Sequence, residues 1–477
     1  MLRPWSLLLQ IDRQAGLAVH LQIAQYIVDE IQRGRLTGGS ALPGSREVAR
    51  QLGVNRKTVI QAFDELIAQG WLCTQGRRGT FVLPALIAAE RPVAKAKIIR
   101  EAVQELESYL IDFTDGVPDS RLIPFDVLGR AYRRALIATA RANRLAYGDP
   151  RGELPLRQAL CTMLSQERGL NAGVDQLCVV RGSQMGIYLA ARVLLKPGDA
   201  VALDALSYPP ARAAFQAAGA QTFAIGQDES GMRPDELEQL CQQRRLKAIY
   251  LTPHHQFPTT TMMPPERRMQ LLALADRYGF VMIEDDYDHE FHFAHRPVFP
   301  MASISTADNV IYISSLSKVL APGLRLGYVF GPQNFIDRCT AEVMLIDRQG
   351  NAVTELAVTD LMQSGELKRH IRRALRIYES RRNIMAEEIK TLIGDKVSFD
   401  LPNGGLALWL KINIPLDMQR LQSDAGRLGV KVLPGSDFAA EGQAIHALRL
   451  GYGSLEPEEI KQGIQRLAKA MELQMKA

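Results

Sequence analysis

Five short apolar runs set the middle of this chain. They are Leu177-Cys178-Val179-Val180, Ala200-Val201-Ala202-Leu203, Ala248-Ile249-Tyr250-Leu251, Val281-Met282-Ile283 and Val310-Ile311-Tyr312-Ile313. Segments with helical patterning separate them, from residue 112 to about 340. Strands this apolar need cover on both faces, which a mostly parallel sheet between two helical layers provides. The expectation is therefore an α/β domain. Ligands on such sheets bind beyond the carboxyl ends of the strands, and the polar motifs of the sequence fall there.

The most telling of these is Ser315-Leu316-Ser317-Lys318-Val319-Leu320-Ala321-Pro322-Gly323-Leu324-Arg325-Leu326-Gly327. A lysine here can form a Schiff base with an aldehyde, provided burial and Arg325 depress its pKa enough to leave it partly neutral. Ser315, Ser317 and Arg325 suit a phosphate. After the first run, Arg181-Gly182-Ser183-Gln184 opens a helix whose free N–H groups favour the same anion. After the second comes Tyr208, able to stack on a flat ring. After the fourth come Asp285, suited to a protonated pyridine nitrogen, and Tyr287, suited to a phenolic oxygen. Together they describe a pocket for pyridoxal 5'-phosphate (PLP) with Lys318 as its catalytic residue. Each piece alone has a plainer reading, such as a helix cap or a solvated lysine. The ordered set of Ser183, Tyr208, Asp285, Tyr287, Lys318 and Arg325, each after its own strand, is what carries the reading.

That set resembles the fold-type I PLP enzymes of the aspartate aminotransferase superfamily, over about residues 112–470. The resemblance implies a large domain at about 112–345 and a smaller C-terminal α+β domain at about 350–477. Tyr147-Gly148-Asp149-Pro150-Arg151-Gly152, with Arg157, resembles the family segment that reaches the partner subunit's cofactor phosphate, a role implied for Tyr147. Arg449, expected at a short strand end, matches the arginine that grips a substrate carboxylate through two parallel hydrogen bonds; a surface arginine on an edge strand is the alternative.

The first 83 residues read differently. His20 to Arg33 has helical spacing at Ile23, Ile27 and Ile31. Leu42-Pro43-Gly44-Ser45 is a turn ending in a capping serine, followed by a helix at Arg46 to Leu52. Gly53-Val54-Asn55 is a second capped turn, and a third helix runs from Arg56 to Gln69. Two alternating stretches then flank Gln75-Gly76-Arg77-Arg78, a β-hairpin with a basic tip. This predicts a winged helix-turn-helix whose third helix starts with donors at Asn55, Arg56, Lys57 and Thr58. Residues 1–83 hold ten Arg/Lys against six Asp/Glu, while the rest hold 47 against 46. The basic excess fits a polyanion partner for the N-terminus alone. Residues 18–83 resemble the GntR family of bacterial regulators. The resemblance implies DNA contacts from Arg46, Arg56 and Thr58, and from a wing running from Arg77 and Arg78 to Thr80.

Residues 84–111 contain no glycine and read as a linker with some local structure. The five cysteines are scattered without CxxC spacing, as in a reduced chain. No apolar run approaches the ~20 residues of a membrane span. Five of the eight histidines lie between residues 254 and 295. Their spacing matches no helical metal motif, so no metal is expected.

The whole resembles the MocR subfamily of GntR-type transcription regulators, including His255-Gln256-Phe257-Pro258. Aminotransferases commonly carry Asn-Pro-Thr-Gly, whose asparagine holds the PLP phenolic oxygen. Here that register reads Phe257-Pro258-Thr259-Thr260, so the contact is lost or moves to His255 or Gln256. The expected function is a cytoplasmic, nucleoid-associated bacterial regulator that binds double-stranded DNA as a head-to-tail homodimer. PLP on Lys318, or an amino acid or amine reacting with it, modulates the DNA grip. The alternative is an active aminotransferase with an autoregulatory DNA-binding domain.

Overall fold

The computed structural model describes residues 9, 11–13, 16–84, 111–114, 116–142, 146–293, 298–305, 308–316, 318–440 and 444–475, the side chain of Arg77 excepted. Ser317 and nearly all of the expected linker lie outside the described residues. The chain divides into two compact units, Met1–Glu105 and Leu106–Ala477.

In the first unit, helices α1 (Val19–Gln32), α2 (Ser45–Leu52) and α3 (Arg56–Ala68) precede strands β1 (Leu72–Thr74) and β2 (Thr80–Val82). Ile23, Ile27, Val48, Val59, Phe63, Leu66, Leu72 and Val82 share one core. Each such side chain contributes about 1.5–3 kcal/mol by burial. The Asn55 side chain caps α3 by accepting from the Lys57 N–H at 2.9 Å. Ser45 is not a cap, in contrast to the sequence expectation. It is the first residue of α2, behind Gly44, and its hydroxyl accepts from Arg56 Nε at 3.3 Å. That bond ties α2 to the start of α3. The two strands pair antiparallel with Leu72 opposite Val82, around a 3-10 turn at Gly76–Arg78.

The second unit contains α4 (Leu154–Arg168), β3 (Leu177–Val180), α5 (Ser183–Leu194), β4 (Ala200–Asp204), β5 (Gln221–Ile225), β6 (Leu246–Leu251), β7 (Val281–Asp286), β8 (Val310–Ser315) and β9 (Gly327–Phe330). These strands form one sheet in the order β3-β9-β8-β7-β6-β4-β5. All pairs are parallel except those of β9, which runs against β8 and β3. The apolar runs are buried on both faces, as their composition requires. Ile283 and Ile313 enter one core, and their neighbours Met282 and Tyr312 enter others across the sheet. β7 continues three residues beyond its apolar run, so Asp285 lies within the strand, opposite Ile313, rather than after it.

A second sheet follows α6 (Glu366–Leu392). It comprises β10 (Val397–Ser398), β11 (Ala407–Ile412), β12 (Leu433–Pro434) and β13 (Ala447–Gly451), in the order β10-β11-β13-β12, all antiparallel. Helix α7 (Pro457–Met475) shares its core with α6. Because β13 pairs on both sides, Arg449 sits in mid-strand between Trp409 and Leu433. It is neither at a strand end nor on an edge. No helix among the described residues is long and apolar enough to cross a membrane.

Candidate cofactor pocket and nucleic-acid face

The carboxyl ends of β7 and β8 and the start of α5 carry the residues singled out in the sequence. Asp285 is 3% exposed. Its Oδ2 accepts the Tyr250 hydroxyl at 2.8 Å, while Oδ1 is buried with no hydrogen-bond partner among the described residues. Burial pushes this carboxyl up to about 7, against the pull of the Tyr250 hydrogen bond and of the Lys318 charge. A cationic N–H reaching Oδ1 would restore the carboxylate. Half-buried Lys318 donates from Nζ to the Gly116 carbonyl at 2.5 Å, and Nζ lies 5.9 Å from the centre of the Tyr287 ring. Ser315, the last residue of β8, is buried.

At the start of α5, Gly182 has φ +77°, and a Cβ there would lie 2.8 Å from Arg325 Nη2. Only glycine fits. Arg325, itself at φ +49°, donates from Nη2 to the Arg181 carbonyl at 2.7 Å. Its guanidinium thereby lies beside the helix start formed by Ser183 and Gln184, where unsatisfied N–H groups favour an anion. Gln184 donates to the Pro210 carbonyl at 3.3 Å. An unpartnered buried carboxylate oxygen, a primary amine and an anion cradle together fit PLP.

Phe257 fills the place where an asparagine is common, and the structure supplies its surroundings. Its ring lies edge-to-face against Tyr208 (5.2 Å), Phe438 (5.4 Å) and Tyr287 (6.2 Å). The Arg449 guanidinium covers it at 4.6 Å. Arg449 is 5% exposed, and its Nε has no hydrogen-bond partner among the described residues. A buried cation on a ring face, with a donor in hand, is suited to a carboxylate. Tyr287 donates to the His255 carbonyl at 3.1 Å. The side chains of Gln256 and His255 are held elsewhere. Gln256 Nε2 donates to the Leu206 carbonyl at 2.7 Å and to Asp204 at 3.3 Å, while its Oε1 accepts from Thr259. His255 Nδ1 lies 2.9 Å from Asp288 Oδ1.

Tyr147 is 76% exposed, with the Arg348 guanidinium 4.8 Å from its ring centre. Arg157 is buried, bonded to Asp149 and to the carbonyls of Gly152 and Val174, and so holds that segment in shape. In the first unit Arg46, Asn55, Arg56, Lys57 and Arg78 are exposed, and Thr58 and Thr80 half-buried.

Sequence reasoning missed Tyr250 and Gly116. Tyr250 had a signal: one hydroxyl inside the run Ala248 to Leu251 needs a partner once buried. Gly116 had none, because it meets Lys318 across 202 residues of chain.

The sequence matches the family described as aminotransferase class I and II over residues 108–467, and bacterial regulatory proteins, gntR family, over residues 20–82. It is 28% identical over 476 residues to the probable rhizopine catabolism regulatory protein MocR of Rhizobium meliloti, covering 97% of this chain and 96% of that protein. It is 28% identical over 458 residues to the pyridoxine biosynthesis transcriptional regulator PdxR of Corynebacterium glutamicum, covering 96% of each. The structure is similar to that of a multiple substrate aminotransferase from Thermococcus profundus, with a TM-score of 0.74 and 28% identity over 80% of this chain and 96% of that one.

Proposed function

Since the chain belongs to the aminotransferase class I and II family and carries a GntR-family domain ahead of it, the MocR arrangement, we propose that it is a PLP-responsive DNA-binding transcription regulator. The observation that carries this reading is the pairing, in one chain, of an exposed basic start of α3 with a pocket in which Lys318, Asp285 and Arg325 are retained while Phe257 displaces the asparagine. PLP supplies an electron-withdrawing pyridine and an aldehyde that an amine can engage. Lys318 is the amine that holds it. Asp285 Oδ1 pairs with the ring nitrogen, Tyr208 packs against the ring, and Arg325, Ser183, Gln184, Ser315 and Ser317 take the phosphate. Arg449 takes the carboxylate of an amino acid effector. Phenylalanine offers no hydrogen bond to the phenolic oxygen, which favours sensing over turnover.

Arg46, Asn55, Arg56, Lys57 and Thr58, with Arg77, Arg78 and Thr80 of the wing, take the DNA. Tyr147 reaches the partner's phosphate in a head-to-tail homodimer, so that two DNA-binding units address two half-sites. Such a protein works in the cytoplasm, on the nucleoid. The similarity to a regulator of pyridoxine biosynthesis supports PLP, or its supply, as the signal.

The test is DNA affinity for the region upstream of its own gene, at fixed salt, with and without PLP. We expect PLP to change Kd by at least about fivefold, the lower range of site-to-site coupling. Lys318→Ala should bind DNA without that response. Equal affinity in both states would sink the reading. The likeness to an aminotransferase favours a second reading, a working transaminase with an autoregulatory DNA-binding arm. Sustained turnover of an amino acid with a keto acid would decide for it.

A further inference from the structure

Behind the strand end that presents Asp285 lies a second cluster that the PLP reading does not use. His254 follows β6, Asp286 ends β7, and His289 lies in the turn after it. All three are buried. Their ligating atoms lie within 4.8 Å of one another. The two imidazole rings sit 4.8 Å apart, tilted by 37°.

The hydrogen bonding is lopsided. His289 Nδ1 lies 2.8 Å from Asp286 Oδ2, which also accepts the Tyr312 hydroxyl at 2.6 Å. Nδ1 and Oδ2 are close enough for a metal ion to take the place of the proton between them. Nε2 of His289, Nε2 of His254 and Oδ1 of Asp286 are all buried without a hydrogen-bond partner among the described residues. Buried polar atoms left without partners are costly.

We propose that His254, Asp286 and His289 bind one divalent transition-metal ion of the zinc, cobalt or nickel class, which neutral imidazoles and one carboxylate suit. The ligands are one ring nitrogen of His254, His289 Nδ1 and a carboxylate oxygen of Asp286, the ion taking the place of the proton between the last two, with a fourth position for water. The charge balance allows it. Glu284, Asp285, Asp288 and Glu290 flank Asp286 along the chain. The guanidiniums nearby are Arg168, 4.0 Å from Asp286 Oδ2, and Arg268, which is spent on the carbonyls of Met263, Phe299 and Pro253. The sequence reading found no metal motif because it sought ligands spaced along one helix. Here they come from the ends of two adjacent parallel strands, which no local spacing reveals. The ion would pin β6 to β7 beneath the pocket, whether or not the protein responds to PLP.

The test uses the full-length protein, stripped with chelator and then dialysed against zinc or cobalt. We expect one ion per chain, and intense visible ligand-field bands from cobalt in a four-coordinate nitrogen and oxygen site. His254→Gln and His289→Gln should each lose at least about tenfold in affinity. His446→Gln, an exposed histidine elsewhere, should change nothing. Folded protein that takes up no zinc overturns the proposal, as does binding that survives both ligand substitutions. The cobalt spectrum needs no variant. Weak six-coordinate bands, as from surface histidines, overturn the proposal even if the variants fail to fold.

Discussion

Thr260 is the residue most at odds with its own backbone. It adopts φ +62°, a conformation that a β-branched side chain resists and glycine accepts readily. Its N–H donates to the Gln256 carbonyl at 2.7 Å, closing the turn that carries Phe257. Thr260→Gly should therefore stabilise the protein by about 1 kcal/mol, the strain relieved less the extra freedom of glycine in the unfolded chain. Urea unfolding of the two proteins checks this, and a loss of stability would mean the threonine side chain contributes contacts that outweigh the strain. Asp204 is strained electrostatically instead. It is buried at the end of β4, with Oδ1 unpartnered among the described residues and Gln256 donating to Oδ2. Burial pushes its carboxyl from 3.8 up to about 7, against the Gln256 hydrogen bond. The folded state then holds its proton more tightly than the unfolded chain does. Stability falls as pH rises from about 4 to about 7, and the full cost is present above that window. Asp204→Asn removes a titrating charge and keeps the hydrogen bond. Its gain over the parent should be on the order of 1–3 kcal/mol at alkaline pH and vanish near pH 4, as measured by unfolding at several pH values.

At the scale of elements, legibility followed distance along the chain. The parallel strands were readable because burial on both faces leaves an unbroken apolar run, and Asn55 because a cap acts on its own next turn. Ser45 misled, since glycine at the preceding position serves equally and the serine hydroxyl turns to Arg56. The interior position of β13 was not legible. Its flanks are β11 and β12, and only the folded sheet says which strand lies outside which. The same holds for the pocket. The amino acids that line the strand ends could be read in order, yet the partners of those amino acids come from distant elements: Tyr250 for Asp285, Gly116 for Lys318, Arg449 for Phe257.

For the molecule as a whole, the helix Gln333–Ile346 ends in Met344, Leu345 and Ile346, which are 46%, 82% and 51% exposed. Just beyond it, Arg348 stacks on Tyr147 and Gln349 accepts from the Gly148 N–H. In the homodimer proposed above, an exposed apolar run joined to the segment proposed to reach the partner's phosphate is suited to be the docking face. Leu345→Glu should shift the protein from dimer to monomer in analytical ultracentrifugation and weaken DNA binding at least about tenfold, because two tethered half-site contacts become one. A variant that stays dimeric would move the interface elsewhere.

Gly116 joins these scales. Its carbonyl holds the Lys318 amine, and a Cβ at its α-carbon would lie 2.8 Å from the Arg449 guanidinium. The two cations thus share one backbone neighbour. Gly116→Ala would therefore disturb the surroundings of both. One peptide unit is thereby where the amine and the guanidinium meet.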